Sequence, residues 1–148
     1  SDGDYFGVTN YTGAGIGAYT DGIQGYQMGD TDGLVIMTFE AVAGATGVSL
    51  DLFVRSTGWE DTDLIYITFG DSVLIDTTGQ DIDNDFAELE ANWTSLSAAG
   101  SGELVIQFVS NSSNESIYID NIQWTGVPAP GALALLGLAG LASRRRRH

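Results

Sequence analysis

The sequence predicts an all-β fold: an antiparallel two-sheet β-sandwich of jelly-roll type, followed by a short C-terminal apolar helix. Three observations predict it. Apolar and polar residues alternate with period two over short runs, as half-buried strands require, and no long segment has a helical period. Gly, Asp, Asn, Ser and Thr cluster between the runs, as in Gly29-Asp30-Thr31-Asp32-Gly33, and these residue types favour turns. After Gly126 the composition changes abruptly to Pro, Ala and Leu.

Strands are expected at residues 34–40, 48–55, 64–69, 72–76, 103–110 and 116–124, with weaker patterns at 5–9, 23–28 and 93–96. In 48–55, Val48, Leu50, Leu52 and Val54 share one face while Ser49, Asp51 and Arg55 share the other, which reads as a strand with one wet side. Leu104, Ile106 and Phe108 repeat the pattern. Trp124 alternates with Tyr118 and Ile122 and is expected to be packed. A helical turn is plausible only at 86–91 (Phe-Ala-Glu-Leu-Glu-Ala). Eight or nine short strands at this spacing imply the sandwich. The domain is set at 1–126 and the tail at 127–148.

The charge splits along the same boundary. All 20 acids precede residue 127, against Arg55 as the one basic residue there, so the body carries −19. Such a surface repels phosphate backbones and anionic lipid, which excludes nucleic acid and leaves the tail as the only membrane contact. It suits a saline setting and attracts divalent cations. With no Cys, no Lys and a lone histidine at His148, the body has no thiol, amine or imidazole nucleophile or ligand. Ser-His-Asp and Cys-His catalysis, His-ligated zinc and Schiff bases are excluded. A glycosidase needs only two carboxylates, which Glu60, Asp61, Asp63, Glu88 and Glu90 are able to supply. The body is nonetheless read as non-enzymatic, since solvated acids abound.

The tail opens with Val127-Pro128-Ala129-Pro130, whose prolines end the last strand. It continues without charge to Ala142 and closes on Arg144, Arg145, Arg146 and Arg147. Sixteen residues from Val127 to Ala142 lie at the short edge of what crosses a bilayer, where about 20 are typical. Its leucines go around a helix rather than along one stripe, and the arginines would stay cytoplasmic, leaving the body outside. Pro motif, apolar helix and terminal Arg run, in that order over 127–148, closely resemble the PEP-CTERM sorting signal of exported bacterial proteins. The resemblance implies an exosortase-type processing enzyme as partner and a cell-surface or extracellular-matrix location in a bacterium that makes exopolysaccharide. Ala129 departs from the family's usual Glu. The start, Ser1-Asp2-Gly3-Asp4, has neither basic residue nor apolar run, so an export signal is expected to have preceded it.

Two further readings concern ligands. Asp81-Ile82-Asp83-Asn84-Asp85 fails as an EF-hand, because Phe86 and Asn92 stand where Gly and Glu are needed, and is read as an Asx-rich turn. Glu115-Ser116-Ile117-Tyr118-Ile119-Asp120-Asn121-Ile122 resembles the last strand of many carbohydrate-binding jelly rolls. There the Asp often helps hold a structural calcium with groups near the N-terminus. The resemblance makes Asp120 a calcium ligand with Asp2 or Asp4 as partner, while the residues alone equally allow Asp120 to bond the adjacent turn. Gly22-Ile23-Gln24-Gly25 and Trp59-Glu60-Asp61-Thr62-Asp63 extend the likeness to acidic β-sandwich modules of PEP-CTERM proteins, in which Glu60 and Asp63 would cap the loop before Leu64. Trp59, in a polar loop, is the candidate for stacking on a sugar ring. The expected function is therefore a surface or matrix protein associated with polysaccharide. The alternatives are a binding module of a secreted enzyme or a carboxylate glycosidase.

Overall fold

A computed structural model describes residues 3–55 and 58–127. Its strands are β1 (Tyr5–Thr9), β2 (Gly25–Gly29), β3 (Val35–Phe39), β4 (Gly47–Val54), β5 (Leu64–Phe69), β6 (Ser72–Asp76), β7 (Trp93–Ala99), β8 (Leu104–Val109) and β9 (Ser116–Thr125). One sheet has the order β1-β2-β9-β4-β7 and the other β3-β8-β5-β6, and every strand pairing is antiparallel. Chain-successive strands such as β2 and β3, or β3 and β4, lie in opposite sheets, which is the interleaved Greek-key path of a jelly roll. All nine expected strands occur. The weaker ones moved most: 23–28 becomes Gly25–Gly29 and 93–96 lengthens to Trp93–Ala99.

The core lies between the sheets because both inner faces carry period-two apolar residues. Val48, Leu50, Leu52 and Val54 of β4, with Ile117 and Ile119 of β9, face Ile65, Ile67 and Phe69 of β5 and Leu104, Ile106 and Phe108 of β8. Each such side chain contributes about 1.5–3 kcal/mol by leaving water. The supposed wet side of β4 is the first correction. Residues between β1 and β2 fold over it, and Ile16 and Tyr19 bury Phe53 and Tyr118 in a second cluster with Trp93 at its edge. Trp93 Nε1 donates to the Ile16 carbonyl at 3.2 Å, and the Tyr19 hydroxyl donates to the Tyr11 carbonyl at 2.8 Å.

The second correction is in β9. Pairing with β4 passes from Asp51↔Asp120 to Ser49↔Gln123, so Asn121 and Ile122 together oppose Leu50, a β-bulge. Asn121 supplies it at φ +50°, a left-handed conformation that Asn tolerates better than most residues. The bulge shifts the alternation by one. Ile117 and Ile119 point inward before it, and Ile122 and Trp124 pack on the same core after it, whereas Tyr118 belongs to the outer cluster. Trp124 is packed as expected, but the bulge puts it and Tyr118 on opposite faces despite their even spacing.

Between β6 and β7 the chain makes a short helix α1 (Ile82–Asp85), capped by the Asp81 carboxylate on Asn84 N, then a 3-10 turn at Ala87–Leu89. The Asx-rich segment thus uses Asp81 as an N-cap, the usual role of Asp before a helical turn. The helical turn expected at 86–91 is the 3-10 one. Among the described residues no helix is long and apolar enough to cross a membrane; the expected helix lies outside them.

Candidate functional site

β2 pairs with β9 only from Tyr26↔Ile119 to Gly29↔Ser116, while β9 continues to Thr125 along β4. Where β2 and β9 part, the first sheet opens into a cleft of about 470 Å³. Tyr26, Phe39 and Trp124 give it aromatic walls, and Asp21, Gln24, Asp120 and Asn121 give it polar groups. Tyr26 meets Phe39 edge to face with ring centres 5.7 Å apart, and Trp124 leans on Phe69 at 5.7 Å. These rings are thus held by the core on one side while partly exposed on the other. The bulge at Asn121 is what brings Trp124 to this wall. Gly25 is needed at the rim, since a Cβ there would sit 2.8 Å from both the Ile119 carbonyl and the Tyr19 ring.

A hydrogen-bond network fixes the polar side. Asp120 Oδ2 accepts from Asp21 N at 2.7 Å and from Thr20 Oγ1 at 3.1 Å. Asn121 Nδ2 donates to Asp51 Oδ2 at 3.0 Å, and Ser95 Oγ donates to Asp51 Oδ1. Burial alone would raise the Asp51 pKa, but hydrogen bonds from Ser95, Thr20 and Asn121 outweigh it and hold the carboxyl below the ordinary value. Asp21 and Gln24 are exposed and free to meet a ligand.

The sequence candidates fare unevenly. Asp120 is 7 % exposed and takes the turn-bonding role, fastening residues 20 and 21. Asp4 does not join it. β1 and β2 run antiparallel with Tyr5 beside Gly29, which puts Asp4 at the opposite end of the sheet, grouped with Asp30 and Asp32. The Asp4–Asp120 calcium pair is therefore not formed; Asp2 lies outside the described residues. Trp59 is also corrected as a stacking residue. It is 3 % exposed, packs edge to face on Phe108, and donates from Nε1 to the Arg55 carbonyl at 2.8 Å, so neither ring face is open to a sugar. Of the sorting residues only Val127 is described, and it is exposed; Pro128, Ala129, Pro130 and Arg144 to Arg147 lie outside.

A second grouping lies at the Asp4 end. Asp63 Oδ2 accepts from Glu60 N at 2.7 Å, closing the loop before β5 as the resemblance to acidic β-sandwich modules implied. Glu115, from the β8–β9 loop, joins them, and carboxylate oxygens of all three lie within 4.8 Å of one another. Like charges within about 5 Å of one another repel by at least about 3 kcal/mol at an effective dielectric of about 20. Burial, then the Asp63 charge, push Glu115 up to about 7, with Glu60 adding a smaller push. Asp63 is raised too, chiefly by burial.

Fold and cleft together define an antiparallel jelly-roll β-sandwich with an amphipathic groove at one end. No protein-family model matches the chain, and no curated protein matches it in sequence. Solved structures of similar shape include the following two. The secreted serine protease VesC from Vibrio cholerae superposes with a TM-score of 0.47 at 8% identity, over 74% of this chain and 23% of that one. A family 11 carbohydrate-binding module from Clostridium thermocellum, solved with a β-1,3-1,4-mixed-linked tetrasaccharide, superposes with a TM-score of 0.43 at 11% identity, over 86% of both chains. The chain thus spans under a quarter of the protease.

Proposed function

We propose that this protein is a carbohydrate-binding surface or matrix component, which takes a glycan into the cleft between β2 and β9 and does not cleave it. The observation that carries this is the make-up of the cleft: partly exposed rings of Tyr26, Phe39 and Trp124 beside Asp21, Gln24 and Asn121. Sugars offer C–H faces to aromatic rings and hydroxyls to carboxylates and amides, so their recognition calls for both along one groove. The volume falls in the usual range for ligand clefts. A body charge of −19 repels acidic polysaccharide, so the preferred class is a neutral glycan. Of the two cleft carboxylates, Asp120 is committed to Thr20 and Asp21, which leaves Asp21 without a second free acid for glycosidic chemistry.

The tail supports display outside the cell. The chain leaves the sandwich at exposed Gly126 and Val127, directly before the Pro motif. A processing enzyme would act on the Pro motif that follows the last strand in sequence, and the body would join the exopolysaccharide layer.

A glycan array followed by affinity electrophoresis tests the reading. The wild type should be retarded by at least one neutral polysaccharide. Asp21→Ala with Gln24→Ala, both exposed, should weaken retention by on the order of tenfold, the loss of one or two net hydrogen bonds, at unchanged melting temperature. Retention equal to wild type, or release of reducing ends from the bound polymer, would sink it.

A further inference from the structure

We propose that Glu60, Asp63 and Glu115 form a binding site for a hard divalent cation, calcium by preference, which ties residues 58–63 to the β8–β9 loop. The site is distinct from the Asp120 constellation and lies at the end of the sandwich away from the cleft. Three features of the geometry point to it. First, the three carboxylates come from two separate loops, yet their oxygens lie within 4.8 Å of one another. Oxygens sharing one calcium at about 2.3–2.6 Å are separated by at most about 5 Å, so one ion is able to meet all three. Second, Asp63 is 2 % exposed and its Oδ1 has no hydrogen-bond donor, while its Oδ2 is already used by Glu60 N. A buried acid oxygen without a donor is costly unless a cation meets it. Third, the donors that meet these carboxylates are uncharged amides, with Ser112 as well as Asn111 serving Glu115. Asn111 N donates to Glu115 Oε2 at 3.2 Å and Asn111 Nδ2 to Glu60 Oε2 at 3.4 Å. The one basic side chain of the body, Arg55, donates to the Ser113 carbonyl at 3.4 Å instead.

The donor set selects the ion. Only oxygen is offered, with neither Cys nor His in residues 3–127, which disfavours zinc and copper. Carboxylates in loops give the adjustable shell that calcium accepts, whereas magnesium demands a tight octahedron and keeps its waters. Bidentate carboxylates and water complete the six to eight oxygens that calcium takes.

Terbium(III), a luminescent probe with calcium-like ligand preferences, reads the site directly, because the Trp59 indole adjoins Glu60 and sensitises its emission. The full chain is stripped with a chelator and titrated with terbium, then with calcium or magnesium as competitor. Saturable emission is expected, displaced by calcium at much lower concentration than by magnesium. Glu60→Gln, an exposed change that should leave the β spectrum intact, should weaken terbium binding by on the order of tenfold or more, and Asp63→Asn should too. Asp30→Asn, in the other acidic group, should leave it unchanged, and so should neutral polysaccharide. Equal displacement by the two competitors, unchanged binding in Glu60→Gln, or loss in Asp30→Asn instead, would each overturn the site.

Discussion

At φ +50° Asn121 occupies the left-handed region, where a Cβ costs roughly 1–2 kcal/mol and a β-branched one more. Its amide returns part of that through the bond to Asp51. The conformation also sets which side chains of β9 face the core beyond it, and so puts Trp124 beside the cleft. Asn121→Val should therefore destabilise by about 1–3 kcal/mol in urea titration and weaken glycan retention, since the strand is driven toward the unbulged register that turns Trp124 outward. Asn121→Gly keeps the backbone and should cost only about 1 kcal/mol, the lost hydrogen bond, and retention should fall less than in Asn121→Val. Equal stability of the two variants would mean that the bulge is not held by this residue.

Asp51 joins elements: it sits on β4, accepts from Ser95 of β7 and Asn121 of β9, and meets Thr20 of the covering segment. Its folded pKa is depressed, so its contribution is present above the unfolded value of about 3.9 and is lost as pH falls through the folded one. Wild type should exceed Asp51→Asn in stability by about 1–2 kcal/mol near neutral pH, and urea midpoints should converge below about pH 4. A gap that stays constant with pH would refute a role for the charge. The same elements show what a sequence can disclose. β4, β5 and β8 were legible because their inner residues keep strict period two, which burial of one face enforces. The phase shift in β9 was not, because it depends on pairing with β4 70 residues away. The outer cover was missed for a related reason. Ile16 and Tyr19 stand in a Gly-rich run that reads as loop, though an outward Phe53 on β4 hinted that something covers it. Trp59 misled because polar neighbours in sequence do not report a Phe108 neighbour in space. The cleft was legible only in its Asp120-Asn121 edge, since its rings come from β2, β3 and β9.

Across the molecule, β9 runs from the acidic group at Glu115 to the cleft at Trp124, and the chain leaves the cleft end at Val127. The charges divide at that exit, −19 before it and +4 after. In the sorting role proposed above, the four arginines would stay on the cytoplasmic side and so would set the orientation of the tail. As a helix, sixteen uncharged residues would reach about 24 Å against a bilayer core of roughly 30 Å, so in that role the apolar segment alone would anchor weakly and the arginines would fix its position. Replacing Arg144 to Arg147 with Ser in a bacterium that carries an exosortase should then leave the protein unprocessed or misplaced. The body should still fold, because residues 3–127 complete both sheets and the core between them. Cell fractionation with mass measurement of the C-terminus checks the first half, and circular dichroism of the recovered protein the second. Normal maturation and surface display of the serine variant would remove the sorting role from the tail, while the cleft and the acidic site would stand untouched.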